Sequence, residues 1–249
     1  MRTAGKIASG RRGVVATIVA LALLAAALAT TPANARAANA SPTTTDASRA
    51  AVAPAGDPMA QVQSGVAEVI ALFRDPGMPL KTRRAKLGEV ADRYFDFAAM
   101  ARSVMGYHWR TLTPAQRAEF VPLFTEFIKD AYLTKLQDYA VKKVQRELPA
   151  VRFNYAREAF DGSDYATVYS TIVVPEQKDP IAVNYLMHRT NGEWRVYDLT
   201  IAAIDVIANY RTQFNHVLNQ DGYDKLMTTL REKQQALRRE LARPTPPAA

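Results

Sequence analysis

The side chains of this 249-residue chain that could attack a carbonyl, relay a proton or hold a metal stand, with one exception, at spacings that suit none of these tasks. There is no cysteine, which excludes thiolate catalysis and cysteine-ligated metals. The histidines are His108, His188 and His216; no His-Glu-x-x-His pair exists, and no acidic residue stands at ligand spacing from them. They read as ordinary surface or core histidines. A Gly-rich phosphate loop and a Gly-x-Ser-x-Gly elbow are both missing, so no metal and no cofactor is expected. One chemical option is left. Asp198 and Asp205 could form a pair of carboxylates, with Asp198 as a general base. The plainer reading places Asp198 at a strand end among apolar neighbours, in an ion pair with an arginine such as Arg102 or Arg211.

The elements that must position these residues fall into two blocks. Val62, Val66, Val69, Ile70 and Phe73 keep a helical period until Asp75-Pro76-Gly77 stops it. Residues 81–94 form a second, basic helix whose apolar side is Leu87, Val90 and Tyr94. Its Lys81, Arg83, Arg84 and Lys86 read as a solvated face, with a docking or membrane-facing patch as the alternative. A short helix spans residues 96–105. Thr113, Pro114 and Gln116 then supply an N-cap with proline at the first helical position. They open a long helix holding Phe120, Phe124, Phe127, Ile128, Tyr132, Leu136 and Tyr139, with Pro122 as a possible kink.

After Pro149 the period changes to two. Residues 151–159, 165–174, 181–190 and 193–201 read as four antiparallel strands, the last two joined by Asn191-Gly192, a pair that accepts the left-handed angles of a tight hairpin. Helical spacing returns at Ile204, Ile207, Tyr210, Phe214 and Leu218, and a charged helix closes the chain over residues 223–241. Helices followed by a meander predict an α+β fold, with helices packed on one face of a curved sheet.

The ends carry a different message. Arg2, Lys6, Arg11 and Arg12 precede an uncharged apolar run at residues 14–29, and small residues with Ala-x-Ala spacing follow. That layout predicts a cleaved export leader over residues 1–37. Residues 38–58, rich in Ala, Ser, Thr and Pro, read as a disordered linker, residues 59–241 as one domain, and residues 242–249 as a frayed tail. Five of the 32 basic residues, and none of the 24 acidic ones, lie before residue 41, so the remainder carries 27 against 24, about +3. The excess charge belongs to the leader, and no nucleic-acid partner is expected.

Four sequence blocks carry a family resemblance. They are Phe95-Asp96-Phe97-Ala98-Ala99-Met100-Ala101-Arg102 with Gly106 and Trp109; Leu112-Thr113-Pro114-Ala115-Gln116-Arg117 with Glu119-Phe120; Asn191-Gly192-Glu193-Trp194-Arg195-Val196-Tyr197-Asp198; and Asn209-Tyr210-Arg211-Thr212-Gln213-Phe214-Asn215 with Gly222, Leu226 and Leu230-Arg231-Glu232-Lys233. In this order, over about residues 60–235, they resemble the MlaC family of periplasmic phospholipid shuttles, also named for toluene tolerance. A related branch associated with hopanoid lipid metabolism is similar and is the alternative for cargo.

The resemblance implies an NTF2-like curved antiparallel sheet of about four strands, with packed helices enclosing a deep apolar pocket for acyl tails. It implies a monomeric periplasmic carrier that binds phospholipid, touches membranes transiently and supports outer-membrane lipid asymmetry. Its implied partners are an outer-membrane lipoprotein complex and an inner-membrane ABC transporter with a lipid-binding ring. Relatives usually carry a glycine and a serine where this chain has Ala203 and Asp205. Candidate tail contacts are Val168, Val183, Tyr185, Met187 and Val196 from strands, Val104, Phe124, Phe127 and Tyr132 from helices, and Ile204, Ile207 and Tyr210 after the sheet. Plain core is an equal reading for each. Two other readings fit the same residues, an enzyme on such a cone with Asp198 as base, and an adaptor whose apolar surface serves a protein partner.

Overall fold

The computed structural model describes residues 56–136, 138–174 and 177–243. The predicted leader, most of the linker and the tail lie outside those residues. Pro58, read as the last linker residue, already belongs to a helix. Helix α1 spans Pro58–Arg74, with Pro58 at its first position and Asp57 as N-cap, whose carboxylate accepts from the Met59 and Ala60 amides at 2.8 and 3.3 Å. Helix α2 spans Leu80–Tyr94 and α3 spans Phe97–Met105, capped by Asp96 on the Ala99 amide at 2.8 Å. Gly106, at φ 54°, turns the chain into a 3₁₀ segment, Gly106–Arg110.

Helix α4, Pro114–Leu133, starts on a full capping box between Thr113 and Gln116 and runs on through Pro122. It stops sooner than its apolar stripe suggests. The amides of Thr134, Lys135 and Leu136 tighten onto the last turn, and a separate helix α5 follows at Asp138–Glu147. A tertiary contact explains the early end. Arg84 of α2 donates to the Leu136 carbonyl, Nε at 3.1 Å, and so satisfies an acceptor that a longer helix would have bonded internally.

The same contact corrects the reading of the basic helix. Arg84 also donates to the Leu241 carbonyl at 3.2 Å. Arg83 is 1% exposed and donates to the carbonyls of Leu72, Asp75 and Met78, the last two at 2.7 and 3.2 Å. Two of the four basic residues therefore tie the fold together, one by pinning the α1–α2 turn and one by joining α2 to the ends of two other helices. Lys81 and Lys86 are exposed.

The sheet runs β1 Arg152–Asp161, β2 Tyr165–Val173, β3 Ile181–Thr190, β4 Glu193–Ile201 and β5 Ile204–Asp205, antiparallel in sequence order. Its strand count is thus one more than the meander predicted. The hairpin at Asn191-Gly192 takes the expected positive φ values, 54° and 84°. Ala166, Val168, Ser170 and Ile172 of β2 share the buried face with Val183, Tyr185 and Met187 of β3 and Val196, Leu199 and Ile201 of β4. Irregular register at Tyr155/Arg157 and at Leu186/Met187 interrupts the first and third ladders. Helix α6, Val206–Ala242, is broken at Gly222, φ 80°, into the two segments expected there. Helix α1 covers β1 and β2, while α2, α3 and α6 cover β4, and α4 packs on α3 and α6. Among the described residues, no helix is long and apolar enough to cross a membrane.

Candidate functional site

Two adjoining spaces lie between the first two helices and the sheet. The inner one is an apolar cavity of about 40 Å³. Helix α1 lines it with Val62, Gly65, Val66 and Val69, α2 with Val90 and Tyr94, and the sheet with Tyr185, Met187 and Val196; Gln61 and Phe95 complete it. The heptad-like spacing of the valines puts their side chains on one helical face. Strand alternation sends Tyr185 and Met187 inward together. The outer space is a polar groove of about 500 Å³ between the start of α1, the end of α2 and the β3–β4 hairpin. Gly56, Asp57, Ala60, Ser64, Arg93, Gly192, Glu193, Trp194 and Arg195 line it, and Gln61 and Tyr94 line both spaces.

Tyr94 forms the partition. Its ring lies flat on α1 at Gly65, where a Cβ would stand only 3.0 Å from the ring, so glycine is what permits the close approach. Its hydroxyl donates to Glu68 at 2.6 Å. Desolvation, and then the Glu68 carboxylate that accepts its proton, push the phenol up to about 12. At the groove's other wall the Trp194 indole donates to the Gly56 carbonyl at 3.1 Å, holding the chain's entry against the hairpin.

Of the candidate tail contacts, Tyr185, Met187 and Val196 meet at this cavity. Val104, Phe124, Phe127, Tyr132, Val168, Val183, Ile207 and Tyr210 are buried but do not line it. Several of them belong to an aromatic layer between α4 and α6, with Phe127 edge-on to Tyr210 at 6.0 Å and Phe124 edge-on to Phe214 at 6.2 Å. Ile204 is 50% exposed on β5, in a strand where a helix was expected. The inner cavity, at about 40 Å³, is far smaller than the upper end of ordinary ligand pockets, about 1,000 Å³. The α1 and α2 lining residues were absent from the candidate set, although their valine and Tyr94 stripes were visible in the sequence.

The chemically capable residues serve the framework. Asp198 makes no ion pair with Arg102 or Arg211. Its Oδ1 accepts from the Leu199 and Ile207 amides at 2.7 and 3.2 Å, while Arg211 donates to the Ser103 carbonyl at 2.8 Å. Burial first, then the neighbouring Asp205 charge, push Asp198 up to about 7, against the pull of those two amides. Asp205 caps α6 on the Ala208 amide at 2.6 Å, which is the task a serine would do at this position. Asp198 lines neither space. His188 pairs with Asp96 at 2.9 Å, and His216 is exposed. No group of three or more His, Cys, Asp or Glu side chains suited to a metal exists among the described residues.

An antiparallel sheet with helices packed over an apolar cavity makes this an α+β module. The chain belongs to the MlaC family, whose model matches residues 63–232. It is 23% identical over 141 residues to the intermembrane phospholipid transport system binding protein MlaC of Haemophilus influenzae. That match covers 56% of this chain and 62% of the relative, less than two thirds of its length. The fold is similar to the phospholipid-binding protein from Ralstonia solanacearum, solved in complex with a phospholipid, at TM-score 0.60 and 24% identity. The likeness covers 74% of this chain and 99% of that one.

Proposed function

We propose that the chain is a periplasmic phospholipid carrier that shuttles lipid between the outer and inner membranes and so supports outer-membrane lipid asymmetry. The carrying observation is an apolar cavity that shares Gln61 and Tyr94 with a charged groove, in a member of the MlaC family. An amphiphile needs this arrangement, with its tails inside and its head at the rim. Two acyl tails of roughly 30 methylenes, at about 0.8 kcal/mol each, cost on the order of 20 kcal/mol to leave in water, so a carrier must hide them almost completely. A cavity of about 40 Å³ holds only a few atoms. Loading therefore moves α1 and α2 away from the sheet, with Tyr185, Met187 and Val196 as the first tail contacts.

The predicted leader delivers the domain, residues 59–241, to the periplasm, where it acts as a monomer with transient membrane contact and no chemical step. Its exchange partners are an outer-membrane lipoprotein complex and an inner-membrane ABC transporter with a lipid-binding ring. The test is to express the chain without its leader, extract the purified protein with organic solvent and identify released lipid by mass spectrometry. Near-stoichiometric phospholipid is expected, and hopanoid in its place would move the cargo to the sister branch. A folded protein that releases no lipid and takes none from vesicles would overturn the proposal.

A further inference from the structure

The geometry points to the polar groove as a head-group subsite, in which Arg93 and Arg195 hold the phosphodiester of a glycerophospholipid. This deepens the carrier reading and rests on it. The two arginines come from different elements, Arg93 from the last turn of α2 and Arg195 from β4 just past the hairpin, yet both residues line the one space of about 500 Å³. That space is large enough for a hydrated phosphate and its alcohol, and it meets the apolar cavity at Gln61 and Tyr94. A glycerol backbone seated at that junction sends its tails inward and its phosphate outward between the arginines.

Each arginine already holds a carboxylate that a phosphate would replace. Arg93 pairs with Glu68, and Arg195 with Glu193 at 3.3 Å. Their side chains are 54% and 33% exposed, and exposed pairs of this kind contribute little. A phosphodiester offers two charged oxygens for the planar forks to share, where each arginine now meets a single carboxylate oxygen. Asp57, the fourth charged residue of the groove, accepts the Met59 and Ala60 amides on its Oδ1 as the cap of α1. Glu193, once released by Arg195, stands at the rim where the ammonium of an ethanolamine head would lie.

The test compares two cargoes of equal tails. Phosphatidylethanolamine vesicles are doped with labelled phosphatidylglycerol or with labelled diacylglycerol, and uptake is measured for the wild type and for R93Q/R195Q. The wild type should favour phospholipid over diacylglycerol by on the order of tenfold. The double variant should bring that ratio close to one while still taking diacylglycerol, which shows that it is folded and that its tail site is intact. R93K/R195K should fall between, because it keeps the charge and loses the fork. Equal uptake of both lipids by the wild type, or an unchanged preference in the double variant, overturns the subsite and leaves the carrier reading standing. Uptake of neither lipid by the wild type overturns both. Calorimetry with inorganic phosphate separates the two sources of the same chemistry, since saturable binding to the lipid-free wild type would make the groove a free-phosphate site and overturn the head-group assignment.

Discussion

Asp198→Asn tests the junction between the sheet and α6, where the chain buries a carboxyl that it does not pair with a cation. The side chain is 6% exposed, and its Oδ1 caps the Leu199 and Ile207 amides. Desolvation and then Asp205 raise it from the ordinary 3.8 to about 7. Between pH 4 and 7 the folded protein thus keeps a proton that the unfolded chain has released. Its contribution to stability is fully present at the acid end, falls as pH rises through that window, and is gone above pH 7. At about 1.36 kcal/mol per pH unit the interval is worth at most about 4 kcal/mol.

Asparagine retains the carbonyl acceptor for both amides and has no charge to develop. The variant and the wild type should therefore be equally stable near pH 4. By pH 8 the variant should be the more stable by roughly 2–4 kcal/mol, or roughly 5–10 °C in Tm for a domain of this size. Urea unfolding at stepped pH, followed by the fluorescence of Trp109 and Trp194, reads the difference directly. A difference that stays constant with pH, or a variant less stable at pH 8, would refute the reasoning.

Three further outcomes follow from the packing. Ala202 and Ala203 occupy left-handed backbone, φ 48° and 67°, in the β4–β5 turn; Ala203→Gly should stabilise the protein by about 1 kcal/mol, seen as a rise in Tm. Arg83→Met leaves the carbonyls of Leu72, Asp75 and Met78 without their donor and should cost about 3 kcal/mol or more in chemical denaturation; an effect below 1 kcal/mol would mean that water replaces the guanidinium. Val69→Phe fills the inner cavity it lines, so it should lower co-purified lipid severalfold with less than about 2 kcal/mol change in stability. Unchanged lipid in a folded Val69→Phe protein would place the tails elsewhere.

Local chemistry determined most of the elements. The Thr113–Gln116 capping box, the Asp75-Pro76-Gly77 stop and the Asn191-Gly192 hairpin each act within a few residues, so their outcome is written in adjacent side chains. Alternation along residues 181–190 likewise placed Val183, Tyr185 and Met187 on the buried face. Family membership was also legible, because the four blocks retain residue types as well as periods.

What the sequence left open depended on partners distant along the chain. Helix α4 ends at Leu133, and three residues on Arg84, 52 positions away from Leu136, takes that residue's carbonyl. Arg83 looked like solvent-facing charge until the α1–α2 turn folded three carbonyls around it. Asp198 looked like an ion-pair member until two backbone amides claimed it. The cavity belongs to the same class. Burial marks Phe124 and Met187 alike, and only the seating of α1 and α2 on the sheet decides which buried side chain borders a space and which fills the core. Periodicity reports which face of an element is turned inward, whereas packing decides what that face meets.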